Sequence, residues 1–366
     1  MAVLRAYDMV FVGGGLSALL LLNELRTGSS ARIAVVDPSP PWEQPPVHWS
    51  YWSRGRTPYD RFAIGAWRQA RVGDAPPEPI APFTLRLVRS DDVFADLLWR
   101  LRAVPIEWLR AAARAVRRRD GGGYEVATSA GSVRARVVFD SAREVEPVFP
   151  APHLPRAVLS GIGLRVVADR PVFDAATATL FDPLDERSFA YLLPLSRVEA
   201  LLESASFGPA PVKADRVPLL RYLRERYPGG RFEVVHAEYG EIPLGFAPSG
   251  TTGPRHVLLG AKRGLLKPSA GYGVVRIAEE TMRLGHLWRE GRPLPPERRG
   301  FWGWRLLDAG FLELADRDPR LPLALVRRVM HAVPPSWSLR FIDEEVSIRQ
   351  LVSIFRQALP VVLRGR

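Results

Sequence analysis

A chain of 366 residues is long enough for two domains, or for one nucleotide-binding domain with large insertions. Hydrophobic residues at 47% and charged residues at 25% exclude a collagen-like, coiled-coil or wholly disordered protein, and the lack of cysteine excludes disulfides, thiolate metal sites and a cysteine nucleophile. A net charge of +12, from 51 basic and 39 acidic residues, rests on arginine with only three lysines (Lys213, Lys262 and Lys267), and favours anionic surfaces as partners.

Met9 to Val12 form a short apolar run that predicts a buried parallel strand, Leu16 to Leu25 carry helical spacing, and Arg32 to Val36 predict a second strand, so the chain opens as a βαβ unit. The first strand runs into glycines rather than a small-residue cleavage site, which argues against a signal peptide, and the longest apolar runs are too short to span a bilayer. Together with the missing cysteines this places the protein in the cytoplasm, meeting any membrane from one side. Residues from Ser39 to Pro82, rich in Pro, Trp and Tyr, are expected to be an irregular packed excursion. Ser90 to Arg102 reads as a helix with Ser90 as N-cap and Asp91 and Asp92 in its first turn. Ala111 to Arg143 reads as a β-meander that rejoins the sheet at Val137 to Phe139. From Arg100 to Arg136 nine arginines face only Glu107, Asp120 and Glu125, a solvated surface or, alternatively, a lipid-facing patch. Short strands are expected from about Pro150 to Phe246, among them SFAYLLPLS and EALLESASF, with a helix from Val217 to Glu225. A strand, a Gly/Pro/Ser loop and a long helix follow over HVLLGAKRGLLKPSAGYGVVRIAEETMRLGHLW, and the stretch from about Pro296 is mostly helical.

Gly13, Gly15 and Ala18 satisfy GxGxxG/A after a strand and at the start of a helix, where glycines allow a tight turn and close approach of a pyrophosphate to the helix N-terminus. Asp37 ends the second strand, where a carboxylate can accept from ribose hydroxyls. The motif at the extreme N-terminus favours FAD, with NAD left open. The six histidines show no metal-ligand spacing, and no nucleic-acid module appears despite the charge.

Five segments in order resemble the lycopene cyclase family of FAD-dependent proteins: DMVFVGGGLSALLL, HWSYW (His48–Trp52), FAYLLPLS with ALLESASF, EYGEIPLG (Glu238–Gly245) and GAKRGLLKPSAGYGVVR (Gly260–Arg276). Gly260-Ala261 stands where related flavin monooxygenases usually carry Gly-Asp. The resemblance implies an α/β fold: a Rossmann-like FAD-binding domain (1–85 with 108–150 and 255–290), an inserted β-rich substrate domain (151–254) and a helical C-terminal cap (296–366). It implies cofactor contacts at Gly13, Gly14, Gly15, Leu16, Ser17, Asp37 and Val116, and at the loop residues Gly260, Gly264, Leu265, Pro268, Gly271 and Tyr272.

The implied activity is a redox-neutral cyclase that uses reduced FAD, with NAD(P)H as candidate reductant, to form a β-type ring on a linear isoprenoid polyene such as lycopene. The chemistry needs a carboxylic acid kept neutral by burial, a dry pocket and a base. From the strand pattern alone Glu203 reads as a solvent-facing edge carboxylate; the resemblance makes it the proton donor, although Ser204 and Ala205 depart from the family's Glu-acid-Thr motif. Glu238 is the second catalytic candidate, its alternative a loop carboxylate paired with an arginine. Trp49, Tyr51, Trp52 and Tyr191 are the aromatic candidates for contact with a cationic substrate. His48 is shifted by one place from the family pattern and receives no role; Trp302-Gly303-Trp304 lacks the context of a halogenase motif. The expected partners are the hydrophobic polyene and an anionic membrane surface to which the protein binds peripherally. The alternatives are an FAD monooxygenase or polyene reductase and, in another class, a non-catalytic carotenoid- or lipid-binding flavoprotein.

Overall fold

A computed structural model describes residues 5–25, 31–142, 156–213, 215–246, 253, 255–295 and 302–364. β1 (Ala6–Val12) and β2 (Ile33–Val36) are parallel neighbours joined through α1 (Leu16–Leu25), and the continuous apolar run of β2 reflects burial on both faces. The next segment is more regular than its composition suggests. It holds β3 (His48–Ser53), β4 (Ala63–Trp67), β5 (Gln69–Val72), β6 (Glu78–Pro79) and β7 (Thr84–Arg89). Its prolines fall in connections or on the edge strand β6, where a missing N–H costs no ladder bond.

α2 (Ser90–Leu101) corrects the expected cap: Ser90 is already helical, Arg89 is the N-cap without a side-chain bond, and the Ser90 hydroxyl instead accepts from the Val47 N–H at 2.9 Å. After β8 (Ile106–Leu109), the strands β9 (Ala113–Arg118), β10 (Tyr124–Thr128) and β11 (Gly131–Asp140) form the expected meander, and β11 returns parallel to β1. The following strands are β12 (Ala157–Ala168), β13 (Thr177–Pro183), β14 (Ser188–Pro194) and β15 (Glu199–Gly208); then come α3 (Val217–Arg226), β16 (Phe232–Leu244) and β17 (His256–Leu258). At 12 and 13 residues, β12 and β16 are far from short. The chain ends in α4 (Val274–Arg289), α5 (Trp302–Arg317), α6 (Arg320–Ala332), α7 (Pro335–Ile342) and α8 (Ile348–Arg364).

The first sheet has the order β8-β2-β1-β11-β10-β9, with β17 also against β11; the second runs β16-β12-β15-β14-β13-β5-β6; β3, β7 and β4 make a third, small sheet. Residues 69–79, counted from sequence with the cofactor-binding unit, thus pair in the second sheet. The expected boundaries at 150–151, 254 and 296 lie outside the described residues. α1, α2 and α4 pack their apolar faces on one side of the first sheet, through Leu19, Leu21, Val93, Leu97 and Leu284. The second sheet is covered on one face by α3, through Leu219 and Leu223, and on the other by α5, α6 and α7, through Phe311, Leu323 and Leu339.

The connection from β17 to α4 is held from beneath by buried charge. Lys262 donates to Asp140 at 2.8 Å, Arg263 to Glu280 at 2.7 Å, and Lys267 to both Asp308 and Glu344 at 3.0 Å. Two of the chain's three lysines are therefore interior. Removing one partner of a buried pair strands the other's charge, at about 3–5 kcal/mol. Lys267→Met is expected to lower stability by that order in denaturant unfolding, and the double variant Lys267→Met/Asp308→Leu to recover most of the loss; equal stability of Lys267→Met and wild type would contradict this role.

Candidate active-site cavity

Two features converge at the C-terminal edge of the first sheet. Gly13 takes a left-handed φ of +89°, and a Cβ there would meet Ser141 Oγ at 2.5 Å, so only glycine fits the turn out of β1. A Cβ on Gly15, in contrast, would meet nothing within 4 Å: open space lies beside the first turn of α1, whose N–H groups lack intrahelical acceptors and which carries no acid. This cradle fits a pyrophosphate. Asp37 accepts from the Gly14 N–H at 2.7 Å and the Ser39 N–H at 2.9 Å, which fixes its carboxylate at the end of β2. Gly260 closes the cradle from the other side, since a Cβ there would lie 3.0 Å from Ser17 Oγ. Gly264 caps a short 3-10 turn in the left-handed conformation, and Lys267 N–H donates to the Tyr272 carbonyl at 2.8 Å, turning Pro268–Gly271 outward as a tight loop.

That loop forms one end of a cavity of about 1300 Å³. Its lining also includes Trp49 and Ser50 of β3, the inner face of the second sheet, and the helices α5, α6 and α8. This exceeds the ~300–1,000 Å³ of ordinary small-molecule pockets.

The pairing registers place Tyr191, Glu203, Gly163 and Glu238 in one row across β14, β15, β12 and β16. Residues in one such row share a face, so the two carboxylates, two strands or about 10 Å apart at the backbone, point into the same cavity with only a glycine between them. A Cβ at Gly163 would lie 2.9 Å from Glu238 Cγ; the glycine lets Glu238 lean along the sheet. In the next row Gly240, Gly161 and Ala205 hollow the floor. β15 is interior to the sheet, which removes the edge-strand alternative for Glu203. Burial pushes the Glu203 carboxyl up to about 8, with the charge of Glu238 adding to the shift; its remaining exposure is to the cavity, which it lines.

Glu238 is on a strand and pairs with imidazole rather than arginine. Its carboxylate accepts from the His48 backbone N–H at 3.0 and 3.1 Å and from His48 Nδ1 at 2.8 Å, with His236 Nε2 3.3 Å away. These three side chains lie close enough to share one cation. His48 Nε2 is buried without a partner. Tyr191 and Tyr272 line the cavity near Glu203, and burial pushes both phenols up, Tyr272 to about 12, so both stay protonated near neutral pH.

Of the aromatic candidates, Tyr191 borders the cavity; Trp49 contributes to its lining, but its ring lies on the Tyr51 face of β3 and packs edge-on against Phe94 at 5.4 Å. Trp52 stands behind the cavity, 4.1 Å from the Tyr272 ring, with its indole N–H on Asp343. Tyr51 does not reach it: the side chain is 2% exposed in the α1–α2 core and its hydroxyl donates to Asp60, because alternation along β3 turns it from the cavity. Leu265 is likewise a core residue, and Val116 packs on β9 with the cluster on the far face of the first sheet. Leu16 and Ser17 open α1 beside the cradle. Sequence reasoning missed His48 and Gly163. The signal for Gly163 was present, since glycine within an apolar strand marks close approach of another group. By strand alternation Ser204 belongs to the row of Ile162 and Ala190, beneath α3, so of the two departures from the family motif only Ala205 shares the face of Glu203.

A family model described as lycopene cyclase protein matches residues 8–362. No curated protein matches the sequence. Among solved structures, a geranylgeranyl bacteriochlorophyll reductase-like protein from Thermoplasma acidophilum is similar with TM-score 0.56 at 14% identity, covering 98% of both chains. OxyS anhydrotetracycline hydroxylase from Streptomyces rimosus gives 0.56 at 18%, over 93% of this chain and 76% of that one. Halogenase PltM in complex with phloroglucinol and FAD gives 0.53 at 14%, over 97% and 86%. At these identities the likeness establishes the fold, a Rossmann-like α/β architecture with a β-rich part and C-terminal helices.

An unfolded glutamate ionises near 4.5, whereas native Glu203 holds its proton to about 8. Wild-type stability therefore falls as pH rises through that window, and Glu203→Gln, which cannot ionise, escapes the loss. The thermal midpoint of the variant relative to wild type should rise from about pH 5 to about pH 8 and level off above. A difference that stays constant over this range would contradict a protonated Glu203.

Proposed function

Because the chain belongs to the lycopene cyclase family, we propose that it holds FAD at the Gly13–Ser17 cradle and closes a β-type ring at the end of a linear isoprenoid polyene such as lycopene, with no net redox change. The observation that carries this reading is Glu203, a carboxyl kept protonated near neutral pH on the wall of a large, mostly apolar cavity. The reaction needs that combination: an acid that still carries its proton at neutral pH, and an apolar surrounding that offers little water to trap the cation.

Glu203 gives its proton to the terminal double bond. The tertiary cation is attacked by the next suitably placed double bond, which forms the ring bond and moves the charge into the ring; loss of a ring proton then makes the ring alkene, so product and substrate are isomers. The ring of Tyr191, beside Glu203 on the cavity wall, faces this charge, at up to about 2 kcal/mol for a good contact. The Glu238 carboxylate, oriented by His48, opposes the positive charge and accepts the ring proton, so one proton is given by Glu203 and one is taken up by Glu238. Ser269 to Val274 and Val47 to Ser50 line the cavity on the side of these carboxylates. Reduced FAD, with NAD(P)H as reductant, would supply an electron-rich surface next to this end of the cavity. Since the polyene is insoluble in water, the protein is proposed to work at the surface of an anionic membrane, and among the described residues no helix is long and apolar enough to cross one.

Anaerobic incubation with lycopene and chemically reduced FAD should give a product of unchanged mass containing a β-type ring. Glu203→Gln should retain flavin and lose about two orders of magnitude or more in turnover, the scale of losing a positioned acid. Near-normal turnover of a folded, flavin-loaded Glu203→Gln would remove the acid from the mechanism. Substrate-dependent consumption of NAD(P)H with an oxygenated or saturated product would favour the monooxygenase or reductase reading instead.

A further inference from the structure

α8 carries two adjoining rows of apolar side chains. Leu351, Ile354, Ala358 and Val362 line the cavity. Beside them, Ile348, Val352, Phe355, Leu359 and Leu363 are 42–82% exposed. Their spacing of four, three, four and four residues puts them in one stripe along the helix. They are five of the 14 large hydrophobic side chains exposed among the described residues, and no other helix exposes more than one. The stripe is bordered by positive charge. Arg349 and Arg356 are exposed next to it, Arg328 of α6 reaches the helix by donating to the Gln357 carbonyl at 2.9 Å, and the sequence from Val346 onward has four arginines and no acid.

We infer that α8 docks on an anionic lipid surface and that its contact with the lipid is the entrance for the polyene. A helix with an apolar stripe rimmed by arginines lies in the plane of the headgroups, its apolar side chains among the acyl chains and its guanidinium groups on phosphate. Continuity with the cavity selects lipid over a protein partner. Val352, Phe355, Leu359 and, on α5, Leu306 are at once strongly exposed and part of the cavity lining, so the cavity opens where the apolar stripe meets solvent. The carboxylates and the Ser269–Val274 loop belong to other walls of the same cavity. A polyene leaving the acyl chains beneath α8 enters an apolar channel without crossing water. The arginine-dense stretch from Arg100 to Arg136 lies instead on the first sheet and α2, with Trp99 as its one large exposed apolar side chain, and is not this face.

This inference rests on the proposed polyene substrate, and the test separates the two. Ile348 and Leu363 belong to the stripe but not to the cavity lining. The full chain and Ile348→Glu/Leu363→Glu are compared by sedimentation with phosphatidylcholine vesicles containing about 30% phosphatidylglycerol, and by turnover of lycopene presented in those vesicles or in detergent micelles. Wild type should bind the vesicles, less so in high salt. The double variant, with an unchanged circular dichroism spectrum and flavin content, should bind about tenfold or more weakly and lose turnover in vesicles while keeping it in micelles. Equal vesicle binding by both proteins, or no binding by wild type, would overturn the docking role. A wild-type dimer that the double variant abolishes, with no vesicle binding, would assign the stripe to a second copy of the chain. Absence of product in micelles from both proteins would count against the cyclase reading while leaving the vesicle result to stand on its own.

Discussion

The burial of Glu203, reinforced by the charge of Glu238 across the bare backbone of Gly163, is what sets this cavity apart from a merely apolar one. A lone carboxyl in such a place would resist ionisation by desolvation; a second carboxylate on the same face raises the cost of ionising the first further still. The arrangement works only if Glu238 stays where it is. His48 supplies that restraint twice, through its backbone N–H and its ring, and so ties the small β3-β7-β4 sheet to the edge of the large one at the point where the chemistry would occur. A side chain at position 163 would break the same contact by pushing Glu238 away.

The remainder of the structure keeps this pair in a shaped, dry space. Sheet rows of glycine and alanine give depth beside the two carboxylates, and Phe181, Phe189 and Phe207 pack around that hollow. Beneath the loop at its end, an arginine-rich protein places Lys262 and Lys267 in its interior. An ammonium is a compact charge that fits between two acids, as Lys267 does between Asp308 and Glu344, where a planar guanidinium would need a wider fork. The loop is thereby fixed by ion pairs on one side and stays free on the other to face the cradle and the cavity.

How much of this the sequence disclosed depends on the range of the interaction. The opening βαβ unit, the glycine turn and Asp37 were legible because strand, turn and helix signals are local and follow one another along the chain. The helices α2, α3 and α4 were legible from apolar spacing. The segment from Ser39 to Pro82 was not, because its strands find their partners far away: β5 pairs with β13, more than 100 residues on. Tyr51 and Leu265 looked like site residues by their neighbours in the sequence, yet strand alternation and loop burial turned their side chains into the core.

The sequence by itself determined the class of fold, the place of the dinucleotide turn and the family resemblance that singled out Glu203 and Glu238. It determined these because a motif's residue types and spacing are written along the chain. Only the tertiary structure decided that Glu203 is interior, that Glu238 leans toward it over Gly163, that His48 holds Glu238, and that α8 lines the cavity with one row of apolar side chains and leaves the adjoining row exposed. Those facts are relations of sheet register and helix orientation between residues as many as 190 apart, and a carboxyl's proton affinity depends on what lies around it in space, not on what precedes it in the chain.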